Sequence, residues 1–349
     1  MIRIQNVYHM LAYAYQVLRE KGFESCGTEE FENTADLLSA ILVKGVSIQL
    51  KRGLGRTYIE ETDTLSCLRG KIDVNESIKR QTIIKQQLVC TYDEFSENMY
   101  MNQILKTTME LILRYDVPKT RKKDLRNLLI YFKDIAILDH NSINWRFRYN
   151  RNNQSYQMLM GICELIIKGL LQTTSEGTVK LMQYLDEQRM CRLYEKFILE
   201  YYHKHYPQIK TSAAQISWAL DDGIDALLPT MQSDITLTHD GKTLIIDAKY
   251  YARTLQTQYD VRSLHSHNLY QIFTYVKNKA ATTEREVSGM LLYAKTDEDI
   301  YPNNEYQMSG NKITVKTLNL DEDFSKVSTS LDEIASNHFG VIKEHKRCV

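Results

Sequence analysis

The chain has 349 residues, 43% of them apolar and 25% charged, a size and balance that ask for two soluble domains with sizeable cores. Its 44 basic residues cancel its 44 acidic ones, which excludes a globally basic nucleic-acid binder, so any DNA contact must come from a local patch or from a partner. Six cysteines without a Cys-x-x-Cys spacing argue against a zinc site, and with no apolar signal region at the start and no apolar run near about 18 residues, the expectation is a cytoplasmic protein that touches no membrane.

A first helix is expected over residues 7–18, where Val7, Met10, Leu11, Ala14, Val17 and Leu18 recur at helical spacing and Asn6 reads as the N-cap. A second is expected over 31–50 on the stripe Leu37, Leu38, Ile41, Leu42 and Ile48, with Gly45 weakening its last turns. Lys51-Arg52-Gly53-Leu54-Gly55-Arg56 follows, a glycine-marked turn with three cations. It is not a phosphate-binding loop: Gly-x4-Gly-Lys-Ser/Thr occurs nowhere in the chain, so nucleotide hydrolysis by that route is not expected of it.

Residues 58–73 read as strand and turn, 88–92 as a short strand, and 98–115 as a helix ended by Pro118. Five cations between 119 and 126 form the solvated start of another helix, which continues through Phe132. Trp145-Arg146-Phe147-Arg148-Tyr149-Asn150-Arg151 interleaves cations with aromatics, which suits either a half-buried strand or a surface for stacked bases. A helix over 154–171 leads to the polar stretch 172–178, the best linker in the sequence, and the domain boundary is placed there: 1–175 and 176–349.

In the second half, residues 186–202 form an amphipathic helix with Met190, Leu193, Tyr194, Phe197, Ile198 and Tyr201 on one face and Glu195 at its margin. A strand or two over 209–220 and the turn Asp221-Asp222-Gly223 come next. Ile235 to Leu237 and Leu244 to Lys249 then read as paired strands, because the Asp240-Gly241 between them is a strong hairpin signal. A polar loop over 250–266 carries Arg253 and Arg262, well placed to lie over a phosphate backbone. A helix over 268–278 puts Gln271 and Tyr275 on one face, and strands over 287–294 and 313–318 complete an α/β sheet with helices on its faces.

The hairpin holds the chemistry. Side chains alternate along a strand, so Asp247 and Lys249 project from one face, and the turn brings Asp234 back beside them. Two acids and a lysine on a rigid sheet are what phosphodiester hydrolysis with magnesium requires: hard oxygen ligands for the ion and a cation for developing charge. The competing reading is a solvated hairpin with ordinary surface charges. Against it stands Leu244-Ile245-Ile246, an apolar run of buried type that ends in Asp-Ala-Lys. Glu195 competes in the same way, as a third metal ligand or as a surface glutamate.

Glu195, Asp234, Asp247-Ala248-Lys249 and Gln271-x3-Tyr275, in that order, resemble the PD-(D/E)XK nuclease superfamily. The chain as a whole resembles the McrC family, the nuclease subunits of McrBC-type modification-dependent restriction systems. Gln5-Asn6-Val7-Tyr8-His9, Arg52-Gly53-Leu54-Gly55-Arg56, Leu68-Arg69-Gly70-Lys71-Ile72, Tyr92-Asp93-Glu94-Phe95 with Asn102, Tyr149-Asn150-Arg151 and Leu193-Tyr194-Glu195-Lys196-Phe197 carry that likeness. The superfamily's proline is Ser233 here, and proline supplies no ligand.

The resemblance implies an N-terminal mixed α+β docking domain and a PD-(D/E)XK-type nuclease domain with a central mixed sheet flanked by helices. It implies magnesium on Asp234 and Asp247 with Glu195 in support, Lys249 serving the water or the transition-state charge, and Gln271 assisting. It also implies a McrB-like AAA+ GTPase partner that uses the GTP, with double-stranded modified DNA, such as DNA carrying 5-methylcytosine, as substrate. Arg56, Arg69, Arg148 and Arg151 join Arg253 and Arg262 as expected DNA or partner contacts. Two other functions compete: a non-catalytic adaptor that stimulates an AAA+ NTPase, and a stand-alone DNA-repair nuclease.

Overall fold

A computed structural model describes residues 2–15, 18, 23, 29–151, 153–174, 187–223, 226–250, 255–258, 261–295 and 301–340. Two compact units emerge: Leu38–Val179, and Met1–Leu37 together with Lys180–Val349. This grouping departs from a single cut at 175/176 at the start of the chain, where the N-terminal helix joins the C-terminal half. The linker stretch 175–178 lies outside the described residues.

The physical reason is the face of α1 (Ile4–Ala14). Val7, Met10, Leu11 and Ala14 are buried, His9 stacks on Phe324 at 4.2 Å, and Tyr13 packs edge-on to Phe197 at 5.4 Å. Asn6 is not the N-cap that its type suggests; Arg3 holds that place. Asn6 is buried inside the helix, and its side-chain amide donates to the carbonyls of Leu320 and Glu322 at 2.8 and 2.7 Å. A polar side chain so buried needs such partners, and these lie more than 300 residues along the chain.

In the Leu38–Val179 unit, α2 (Thr34–Arg52, which begins just before the unit) leads to β1 (Thr57–Leu65), β2 (Lys71–Ile72), α3 (Val74–Lys79) and β3 (Leu88–Ser96). The strands form an antiparallel sheet ordered β1-β3-β2. Then come α4 (Tyr100–Leu113), α5 (Lys119–Leu129) and α6 (Tyr156–Thr174). A buried polar knot joins the strand entry to the helices: Asn102 donates to the carbonyls of Gly55 and Glu97, Tyr156 Oη donates to Asn102 Oδ1 at 2.6 Å, and the Gly55 N–H donates to Tyr156 Oη at 2.7 Å. Residues 145–150 alternate half-buried aromatics with exposed partners as a strand would, but pair with no ladder.

In the other unit, α7 (Glu187–His205), β4 (Lys210–Ser212), β5 (Gln215–Ile216), β6 (Met231–Gln232), β7 (Ile235–His239) and β8 (Lys242–Lys249) come first. Next are β9 (Leu255–Gln258), β10 (Val261–Leu264), α8 (Ser266–Ala281), β11 (Glu286–Ala294), β12 (Asn304–Met308), β13 (Asn311–Leu318) and α9 (Phe324–Phe339). The central sheet is mixed and six-stranded, ordered β12-β13-β11-β8-β7-β4; β8, β11 and β13 run parallel and the outer pairings are antiparallel. The stretch expected as a loop over 250–266 is corrected where it is described: β9 and β10 pair as an antiparallel ribbon. Among the described residues no helix is long and apolar enough to cross a membrane.

β8 lies mid-sheet and is buried from Thr243 to Ala248. On one face Ile245 packs with Ile272, Tyr275 and Val276 of α8 and Leu291 of β11. That close approach needs Gly289: a Cβ there would stand 2.7 Å from Val276 Cγ2 and 2.9 Å from Ile272 Cγ1. Leu244, Ile246 and Ala248 point to the other face by alternation.

Candidate active site

The β7–β8 turn forms as its residues dictate. Asp240 and Gly241 both take positive φ, +42° and +72°, the backbone of a tight hairpin turn that suits the strand twist. The register sets Ile235 opposite Ile246, which brings Asp234 level with Asp247. Asp234 is pinned there, since its Oδ2 accepts the Ala248 N–H at 2.9 Å. Ser233, in the position of the superfamily's proline, is buried; its N–H donates to Ala214 O at 3.0 Å and its hydroxyl meets Thr236 Oγ1 at 2.7 Å. The entry to β7 is thus fixed by hydrogen bonds.

Asp247 and Lys249 share the face toward α8. The Lys249 ammonium lies 2.9 Å from Asp247 Oδ2 and donates to Gln271 Oε1 at 3.2 Å, and Gln271 Nε2 donates to Tyr275 Oη at 2.9 Å. Asp247 is 1% exposed, and neither of its buried oxygens has a hydrogen-bond partner of good geometry. Burial pushes the Asp247 carboxyl well above the usual carboxylate range; the Lys249 charge opposes this and the Asp234 charge adds to it.

Glu195 approaches from α7. Burial, then the negative field of Asp234, raise its carboxyl above the usual range. Cys191, one helical turn earlier, donates its thiol to Glu195 Oε1 at 3.1 Å and lies 3.8 Å from Ala248 O. Burial, reinforced by Glu195, pushes that thiol up to about 12, so it stays protonated at neutral pH.

The structure therefore joins Asp234, Asp247, Lys249 and Gln271 by direct contact at the end of β8, and sets Glu195 within the field of Asp234. Cys191 is not singled out by the sequence reading; its i, i+4 spacing to Glu195 is the available signal. Among the described residues no three His, Cys, Asp or Glu side chains form a ready-made metal cluster. The donors present still fit a hard cation that keeps several waters, for which one or two carboxylates suffice. Asp247 Oδ1, buried without a hydrogen-bond partner, is the kind of atom that such an ion would satisfy.

The expected contact residues behave differently. Arg56 is held by Glu97 at 2.9 Å, and Arg69 by Glu94 at 2.5 Å while it covers the Tyr92 ring. Arg148 and Arg151 are exposed. Arg253 and the side chain of Arg262 lie outside the described residues.

Comparison with known proteins follows this geometry. The family model for McrBC 5-methylcytosine restriction system components matches residues 3–294. The Type IV methyl-directed restriction enzyme EcoKMcrBC of Escherichia coli (strain K12) is 25% identical over 339 residues, 95% of this chain and 97% of that protein. A chain in the refined half-complex from a tetradecameric assembly of Thermococcus gammatolerans McrB AAA+ hexamers with bound McrC aligns with a TM-score of 0.55 at 16% identity, covering 96% of this chain and 75% of that one. The structural likeness shows a shared fold.

Proposed function

This chain belongs to the family of McrBC 5-methylcytosine restriction system components, and we propose that it is the nuclease subunit of such a system, hydrolysing phosphodiesters of modified double-stranded DNA. One observation carries the reading: Asp234, Asp247 and Lys249 meet at the end of β8, where the Asp247 carboxylate is buried, one oxygen against the Lys249 ammonium and Oδ1 without a hydrogen-bond partner. A buried acid in that state is costly to a fold that gains nothing from it.

Asp234 and Asp247 would hold magnesium, with the remaining positions left to water and substrate and Glu195 as the acid behind that shell. When bound, the ion polarises the phosphoryl group and lowers the pKa of an attacking water. The chain's own side chains do the rest. Lys249, steadied by Asp247 and Gln271, presents an ammonium to the water or to the charge that builds on phosphorus oxygens. Tyr275 holds Gln271, and the Ala248 N–H holds Asp234, so the acids and the lysine are oriented before substrate arrives.

The partner we propose is an AAA+ GTPase, as in the assembly of McrB AAA+ hexamers with bound McrC. GTP use falls to that partner, since this chain has no phosphate-binding loop. Docking falls to the Leu38–Val179 unit, whose β1–β3 ribbon exposes Tyr58 and Phe95. Large exposed apolar side chains on a ribbon suit a protein partner better than a phosphate backbone.

The test is cleavage of methylated DNA by the complex with magnesium and GTP, wild type against Asp247→Ala. Loss of cutting with intact GTP hydrolysis is expected. Equal cutting removes the nuclease assignment and leaves a docking adaptor.

A further inference from the structure

Ala248 is the hub of the site through its backbone alone. Its N–H holds Asp234, its flanking residues are Asp247 and Lys249, and its carbonyl lies 3.8 Å from Cys191 Sγ. The Tyr250 backbone N–H also interacts with that sulfur. Cys191 thus sits over the Lys249 backbone, touching the peptide groups on both sides of it, and donates its proton to Glu195 at 3.1 Å. A thiol is a weak acceptor and a weak donor at once, so one side chain ties the helix acid to the strand that carries the other acid and the lysine.

We propose that Cys191 is a positioning residue of the nuclease site, setting Glu195 against the end of β8 through its thiol. This role rests on the nuclease reading above. It is a matter of geometry, in which serine, a smaller but stronger donor and acceptor, replaces cysteine and alanine does not.

The experiment compares Cys191→Ala and Cys191→Ser, each in the wild-type and Glu195→Gln backgrounds. Two quantities are read: the DNA cleavage rate of the complete complex, and calorimetric binding of manganese, as a magnesium surrogate, to the full chain without DNA. Losing a side chain that orients a group at a metal site costs about 10-fold or more. Cys191→Ala is therefore expected to slow cleavage about tenfold and to weaken manganese binding by a similar factor, with Cys191→Ser within about twofold of wild type. In the Glu195→Gln background the alanine change should add almost nothing to the loss of manganese binding, because both changes break the same link.

Wild-type behaviour of Cys191→Ala overturns the proposal, and so does a full additional loss in the Glu195→Gln background. Failure of serine to rescue assigns the residue to packing and overturns it too. A wild-type complex that neither cuts nor binds manganese sinks the nuclease reading instead, and this role falls with it.

Discussion

The two largest sheets among the described residues are built in opposite ways. In the β1–β3 ribbon, the β1 side chains are exposed or half-exposed; Tyr58 and Phe95, paired across the register, touch as a tilted ring pair with centroids 4.3 Å apart while 66% and 57% exposed. On β8, six consecutive residues are buried, and one of them is an aspartate. Each departs from the ordinary partition of side chains, the ribbon by showing aromatic rings to solvent and β8 by hiding a carboxylate. A buried polar group and an exposed apolar pair are the informative exceptions, and here they divide the labour. On the function proposed above, chemistry would lie where water is excluded, and recognition where apolar surface is left uncovered.

The sharpest way to break that comparison is Asp247→Asn. The amide keeps the shape of the side chain but removes the anionic ligand proposed above for magnesium. Cleavage should fall by about 10³-fold, the consequence of losing several kcal/mol of transition-state stabilisation. The melting temperature should change little, because the desolvation penalty that the neutral amide avoids offsets the ion pair with Lys249 that it loses. A variant that melts markedly lower while still cutting would make Asp247 a structural residue and erase the contrast between the sheets.

The second largest effect belongs to the ribbon. Tyr58→Ser with Phe95→Ser removes two exposed rings whose mutual contact contributes about 0.5–1.5 kcal/mol to stability. If the rings anchor the partner, their loss should cost about 2 kcal/mol or more of binding, a rise of about 30-fold or more in Kd measured by titration of the AAA+ subunit. Intrinsic manganese binding should be unchanged. Unaltered partner affinity would return the ribbon to an ordinary solvated sheet.

These two regions were unequally legible in the sequence. The β7–β8 hairpin is written in local chemistry: Asp240-Gly241 fixes the turn, the turn fixes the register, and the period of two puts Asp247 and Lys249 on one face. Asp234 follows from the same frame, whereas the role of Gln271, on α8, is implied only by the family resemblance. What escaped was what depends on distant partners. Asn6 carries a capping residue's chemistry, yet its amide is used by carbonyls at 320 and 322. Cys191 has a structural role at a carbonyl 57 residues away, which periodicity cannot register. The ribbon β9–β10 reads as loop because its Gln, Thr, Arg and Ser side chains show no apolar alternation. Helix α9 follows the last expected strand, with Val327, Leu331 and Ile334 as its buried stripe. The grouping of α1 with the C-terminal half is likewise a tertiary fact, set by Phe197 and Phe324 rather than by any signal in residues 1–15.

Gly289→Ala asks how tightly the buried sheet is specified. The new methyl would meet Val276 and Ile272, so α8 must shift, at a cost of about 1–3 kcal/mol from overpacking. The melting temperature should drop by several degrees, and cleavage should fall with it because α8 carries Gln271, the neighbour of Lys249. A methyl-sized change on the exposed ribbon, such as Thr62→Val, should leave both quantities nearly unmoved. Equal effects at the two positions would mean that the sheets are not packed differently after all.

The smallest effect tests the buried-polar argument away from the chemistry. His338, near the end of α9, has a buried Nε2 without a hydrogen-bond partner, and its carbonyl accepts from Lys242 at the start of β8. Burial lowers its pKa; Glu286 opposes this, while Lys242 and Lys312 add to it. The folded state therefore binds a proton less readily than the unfolded state, whose histidine titrates near about 6.5. Stability from the neutral ring is fully present above that value and is lost as pH falls through the lower folded pKa. Melting temperatures followed from pH 7.5 down to 5.5 should decline, and His338→Gln should remove part of that slope without changing the value at pH 7.5 by more than a degree or two. An identical slope in the variant would show that the ring reaches water on protonation, so that burial at this end of β8 places no demand on charge, unlike the burial of Asp247 at the other.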